Sequence, residues 1–299
     1  KGRKLVNLDS EEEGVFTVSC AGGVRVDCFL PGVKAPLNGE AGYEISLEGL
    51  LGGHSGAEIH KGRASANQVM GRVLYSAMER ISGLRLADIR GGKFDNVICS
   101  RNHARAAVPA DRAEEFEDFI QEFDKALKNE YAGCDGGIAL SCEKTALDKA
   151  LSPEATANML RTLLAVPQGV QAMNVDFPGL VQTSLNLGVM ELREDGLYFG
   201  VSVRSCIATQ KDMIVQRLKA ILELGGGSFT LRGNYPGWQY DRNSALREEV
   251  LAAYQAVCGK QGTIEATHGG LECGLFVEKL PGLDAVSFGP ELHDVHSVK

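Results

Sequence analysis

An α/β fold interrupted by an inserted α+β domain is what this sequence predicts. Three observations predict it. The chain opens on a short apolar run that ends in an acid, Asp9, in "KLVNLDSEEEG", and reads as a buried strand with that acid at its carboxyl end. It closes on a helix near 244–258, a short strand near Ile264, a further strand in "DAVSFG" and a loop carrying His293 and His296. Between these ends lies a long stretch in which period-two strands alternate with period-3.6 helices. Front and back strands both run out into polar, ligand-type residues, and open α/β sheets place their sites beyond the carboxyl ends of strands.

In "GYEISLEGL", Tyr43, Ile45 and Leu47 alternate against Glu44, Ser46 and Glu48, which predicts a half-buried strand. The glycine-punctuated loop "GGHSGAEIHKGRASANQ" follows and carries two of the six histidines, His54 and His60. Val69, Met70, Val73, Leu74, Ala77, Met78 and Ile81 then recur at helical spacing until Gly83. "LADIRGGKFDNVICS" reads as strand, Gly-Gly turn, strand. Asp111 is placed to cap a helix whose apolar face is Phe116, Phe119, Ile120, Phe123 and Leu127, with a solvated acidic face between them. Leu185, Leu187 and Val189 alternate outward, and Leu197, Phe199, Val201 and Val203 alternate back, across an Asp195-Gly196 turn. A helix over roughly 211–224 stops at Gly225, Gly226 and Gly227.

Composition removes several classes of function. The 299 residues are 44% hydrophobic and 23% charged, ordinary for a globular chain. The 39 acidic residues against 31 basic ones leave a net charge of -8, and no Lys/Arg cluster interrupts that excess, so a nucleic-acid surface is not expected. No apolar run reaches the roughly 18–20 residues that span a bilayer, and no signal-peptide pattern is present. The eight cysteines include no C-x-x-C, which points to reduced thiols in a cytoplasmic protein.

The chemistry-bearing residues are few. Asp9 and His296 are the natural metal candidates, although zinc needs three or four ligands and His293 competes with His296 on spacing. Glu11–Glu13 follow as a solvated turn, because adjacent residues of an extended chain face opposite ways. His54, flanked by Gly52, Gly53 and Gly56, lies in a surface loop rather than the core, placed to donate to developing negative charge. Asn96, after "GGKFD", reads equally as a turn residue or an oxyanion donor. Arg204 ends the apolar strand "YFGVSVRS" and needs an anion, either a structural carboxylate or a ligand's.

"NLDSEEEG", "GLLGGHSGAEIHKGRASAN", "VQTSLNLGVMEL", "SVRS", "YPGW", "HGGLECGLF" and "SFGP…HS" occur in this order and span nearly the whole chain. Together they resemble the aminoacyl-histidine dipeptidase family (peptidase D, or Xaa-His dipeptidase), dizinc peptidases related to succinyl-diaminopimelate desuccinylase. The resemblance implies a catalytic domain in segments 1–22 and 233–299, interrupted by a lid and dimerisation domain over 23–232. It implies that Asp9 and His296 are ligands of two different zinc ions. His54 and Asn96 would stabilise the oxyanion, His54 in some relatives across a dimer interface. Arg204 would hold the C-terminal carboxylate of a dipeptide, and Gly269, Gly270 and Glu272 would line the pocket floor. A homodimer through the lid is implied as well. His60 receives no role.

Two departures qualify this. The family's N-terminal segment, with its H-x-D motif, bridging aspartate and Glu-Glu pair, precedes the position of Lys1, and "VK" stands after "HS" where a proline is expected. The chain therefore reads as a fragment, inactive alone. A non-catalytic lid and dimerisation module, or a related zinc exopeptidase or amidohydrolase, is the competing expectation.

Overall fold

The computed structural model describes residues 2–293; Lys1 and residues 294–299, His296 among them, lie outside the described residues. Two separate sheets organise the chain. The two ends build the smaller one, in the order Lys4–Asn7, Asp284–Ser287, Val15–Cys20, Thr263–Thr267. Lys4–Asn7 runs parallel to Asp284–Ser287, with Lys4 opposite Asp284. Both strands therefore discharge at the same end, where Leu292 N–H donates to Glu11 O at 2.9 Å and the Ser10 and Ser287 hydroxyls meet at 2.8 Å. The opening strand is not buried, however. It is an edge strand with Lys4 and Val6 exposed, and Asp9 stands two residues beyond it.

The middle of the chain builds a nine-stranded sheet. Its order is Ala139–Lys144, Ala41–Glu48, Asn102–Val108, Arg85–Gly91, Val181–Leu192, Gly196–Ser205, Gly22–Pro31, Ser228–Tyr235, with Gly169–Met173 also paired to Val181–Leu192. The chain crosses between sheets at Ala21 and again after Tyr235. Period-two alternation makes one face apolar and one polar. Helices Ala66–Arg80, Ala113–Glu130, Pro153–Ala165 and Ala208–Leu224 close the apolar face around one core that includes Ile45, Leu47, Val73, Leu74, Phe116 and Phe199. The polar face is left for other business, and Ser184, Arg204 and Gly23 form one row across it.

Three local readings change. Asn102–Val108, whose alanine-rich "NHARAAV" carries little strand signal, is a full strand between Ala41–Glu48 and Arg85–Gly91. Val97–Ile98, by contrast, is a two-residue strand paired with Gly53–His54. Asp111 sits inside a 3₁₀ turn and caps nothing; Arg112 occupies the N-cap position. The predicted hairpin forms, but its register shifts between Leu187 and Val189, so Met190 and Leu192 continue the core stripe and Val189 turns out. Gly188 is the bulge, and a side chain there would collide with the backbone of Asp95 at 2.5 Å.

Two buried polar groups hold the functional face in place. Asp135, fully buried, accepts the N–H of Leu51 and the N–H of Ala64, both at 2.7 Å, and so closes the His54 loop at its two ends. His268, 5% exposed, meets the Ser184 hydroxyl at 2.8 Å, linking the segment after Thr263–Thr267 of the small sheet to the large one. Burial first, and the Arg204 charge second, push the His268 imidazole down to about 4.

Replacing Asp135 with Ala should lower the unfolding free energy by about 3 kcal/mol, since each bond accepted by a buried carboxylate is worth roughly 1.5–3 kcal/mol. Urea titration checks this; a loss under about 1 kcal/mol contradicts a clamp. The depressed His268 pKa makes a second prediction. The unfolded chain binds the proton more readily, so stability is full above the ordinary histidine value of 6.5 and falls as pH drops towards about 4. Two to three units correspond to roughly 3 kcal/mol, and a His268→Gln variant should lack that component of the pH dependence.

Candidate functional site

His54 ends the two-residue strand Gly53–His54, whose partner Val97–Ile98 follows Asn96 directly. Ser55 N–H donates to Asn96 O at 2.9 Å. Pairing thus brings two sequence-predicted residues, 42 positions apart, onto adjacent short strands. The glycine-rich loop is far from slack. His54 N–H donates to Glu58 Oε2 at 2.9 Å, Arg63 donates to the Gly52 carbonyl, and Asp135 closes both ends. Gly52 and Gly53 adopt φ of +65° and +136°, regions that favour glycine, and a side chain on Gly53 would strike Glu58 and Arg63.

The loop folds against Arg204. A side chain on buried Gly56 would stand 2.9 Å from the His54 ring and 3.3 Å from the Arg204 Cζ. The missing side chain lets the two groups approach. Arg204 Nη1 donates to the Tyr235 hydroxyl at 3.3 Å. Its Nε is buried and unbonded, and among the described residues no carboxylate lies within salt-bridge distance of it. The structural ion pair left open by the sequence is therefore not formed among them.

The histidine states follow from geometry. Ala57 N–H donates to His54 Nδ1 at 3.2 Å, so the neutral ring carries its proton on Nε2. Burial and the Arg204 charge lower the His54 pKa, with Glu58 opposing. His54 is thus a neutral Nε2–H donor at neutral pH. His60 diverges from it: exposed in the 3₁₀ turn Ile59–Lys61, it lines a cleft of about 460 Å³ with Arg63, Gln68, Tyr131 and Gln168. Asn96 is half-buried and its side chain makes no hydrogen bond among the described residues.

The HGGLECG segment brings part of its predicted set. Gly269 O accepts from Ala21 N–H at 2.9 Å. A Cβ on Gly270 would lie 2.8 Å from the Tyr235 ring, and one on Gly23 would lie 2.6 Å from the Tyr235 hydroxyl. Tyr235 is held between these glycines, and Lys211 Nζ donates to its carbonyl at 2.8 Å. Glu272 is exposed at the start of helix Glu272–Lys279 and makes no hydrogen bond to this group. Burial pushes the nearby Cys273 thiol up to about 12, with Cys20, Glu272 and Asp9 adding to the shift. Sequence reasoning missed His268, Ser184 and Tyr235. Each stood inside or beside a quoted motif, yet only the folded register sets Ser184 opposite Arg204.

Asp9 is exposed, and among the described residues no three His, Cys, Asp or Glu side chains converge. Zinc sites take three or four protein ligands, so the described residues alone do not complete one.

Residues 45–134 match the model of the peptidase dimerisation domain. The chain is 37% identical over 296 residues to the cytosol non-specific dipeptidase of Escherichia coli (strain K12), covering 98% of this chain and 61% of the relative. It superimposes on the crystal structure of aminoacylhistidine dipeptidase from Vibrio alginolyticus with a TM-score of 0.93 and 33% identity, covering 99% of this chain and 61% of that one. The chain thus spans about three-fifths of each relative's length. Over the segment it spans, the chain is similar in sequence and in fold to both dipeptidases.

Proposed function

We propose that this chain supplies the carboxylate-gripping and oxyanion-stabilising side of a metal-dependent dipeptidase site. The observation that carries the reading is Arg204: a guanidinium with a buried, unbonded Nε and no carboxylate partner among the described residues, beside a neutral histidine donor. Such a cation is satisfied by an incoming carboxylate, which guanidinium grips at two points. A free C-terminus placed there would set the preceding peptide carbonyl near His54. The Nε2–H of His54 and the amide of Asn96 are the donors for the negative charge that develops on that oxygen. Tyr235 orients Arg204 through its hydroxyl, and Ser184, bonded to His268, stands opposite Arg204 in the strand register. The requirement for a nearby carboxylate is what restricts cleavage to dipeptides.

The same reading assigns Asp9 and His296 one ligand position each on a pair of metal ions, zinc by family resemblance, whose other donors are not among the described residues. Bound metal would polarise the peptide carbonyl. Gly269, Gly270 and Glu272 belong to the pocket floor, Gly270 by admitting the Tyr235 ring. We assign 1–22 and 233–299 to the catalytic domain and 23–232 to the lid. The name of the Escherichia coli relative supports a cytoplasmic location, and the dimerisation-domain match supports a homodimer. No described helix is long and apolar enough to cross a membrane. An Xaa-His preference rests on the name of the Vibrio relative, and a non-specific one on that of the Escherichia coli relative.

In the full-length protein, Arg204→Ala should raise KM for a dipeptide about 100-fold or more, the value of a lost bidentate charge-assisted pair. Amidating the dipeptide's C-terminus should weaken the wild type equally and the variant hardly at all. Equal sensitivity of both enzymes to amidation contradicts the role given to Arg204. His54→Ala should instead lower kcat roughly 10²–10³-fold with KM little altered, which steady-state kinetics on the same dipeptide resolves.

A further inference from the structure

The motif "VQTSLNLGVMEL" is absorbed only in part by this reading, through Ser184. Two residues along the same face stands Asn186, 1% exposed and opposite Ser202 in the hairpin register. Its Nδ2 donates two hydrogen bonds at 2.8 Å each, to Asp95 O and to Val97 O. These carbonyls flank Asn96. The Asn186 Oδ1 accepts from Gln168 Nε2 at 3.1 Å, and Gln168 Oε1 accepts from Leu187 N–H at 2.7 Å, so the amide's orientation is set from behind. The loop rests at this point on Gly188, where a Cβ would collide with it.

We propose that Asn186 is a positioning residue for Asn96, with Gln168 fixing its orientation; the inference rests on the functional reading above. A primary amide has the valences this place requires. Two N–H donors reach the carbonyls on either side of Asn96, while the amide oxygen accepts the orienting bond. The competing restraint on the loop is the Asp95 carboxylate, paired with Arg25 at 3.0 Å and Arg232 at 3.2 Å. The Asp95 carboxylate is 10% exposed but its guanidinium partners are 46% and 48% exposed, so solvent screens the pairs, whereas Asn186 is 1% exposed and bonds the loop backbone itself. Because Ser55 N–H donates to Asn96 O, the placement set by Asn186 passes on to the turn that carries His54.

The test uses Asn186→Asp in the full-length protein, a near-isosteric change that turns two donors into acceptors facing two carbonyls. Dipeptide kcat should fall about 100-fold with KM within two-fold, and exchange of the Ser55 amide should quicken at least ten-fold. In an Asn96→Ala background, Asn186→Asp should cost no more than a few-fold in kcat, the share that passes through the Ser55 turn to His54. Gln168→Leu, which leaves the loop bonds themselves intact, should reproduce the pattern more weakly and guards against a misfolded Asp variant. A full additional loss in the Asn96→Ala background, or unchanged Ser55 exchange, overturns the proposal. If Asn96→Ala leaves kcat intact while Asn186→Asp still frees Ser55, positioning is upheld and the oxyanion role of Asn96 is the part that fails.

Discussion

A loop with four glycines behaves as a rigid object here because one buried carboxylate holds both its ends. Asp135 takes the N–H groups of Leu51 and Ala64, and everything between them, His54 included, is constrained to one excursion across the polar face of the large sheet. The glycines serve close approach rather than mobility. Gly56 admits Arg204, and Gly53 leaves room for the Glu58 and Arg63 side chains. Were the ends free, the ordering entropy of some dozen residues would stand against any fixed relation between His54 and Arg204.

That relation is electrostatic as much as steric. The two histidines near Arg204, His54 and His268, are both depressed by burial and by the guanidinium charge. One cation with neutral donors around it is a receptor for a single negative group. Protonating either histidine would crowd like charges, which the structure resists. Within the face, strand Val181–Leu192 serves as the spine: Ser184 reaches His268, Asn186 reaches the loop of Asn96, and the Gly188 bulge makes room for that loop. One run of the sequence thus sets the two donor-bearing loops against the arginine row.

Much of this was legible in the chain. Periodicity located the helices Ala66–Arg80 and Ala113–Glu130 because their apolar stripes are unbroken, and the hairpin because its turn is Asp-Gly. The strand Asn102–Val108 was not legible, since alanines fill the positions where β-branched residues would have signalled it. Nor was the bulge: a lone glycine in an alternating run marks either a bulge or a close approach, and here it marks both. Of the site, His54 and Arg204 were readable from their odd surroundings, a polar loop and an apolar strand. Tyr235 and His268 were not, because their value comes from partners some 30 and 84 residues away. The meeting of His54 and Arg204 within one chain needed the folded sheet to reveal it, as it rests on Gly56 and the short pairing with Val97.

The most direct measurement is the pKa of His54, followed by NMR through its ring protons in this chain and in an Arg204→Ala variant. Burial and the neighbouring guanidinium place it below the ordinary value of 6.5, and removing the guanidinium should raise it back towards that value. An upward shift in the variant establishes that the two groups face each other across one site. An identical titration in both proteins would mean that they do not, and the site assembled here would be wrong.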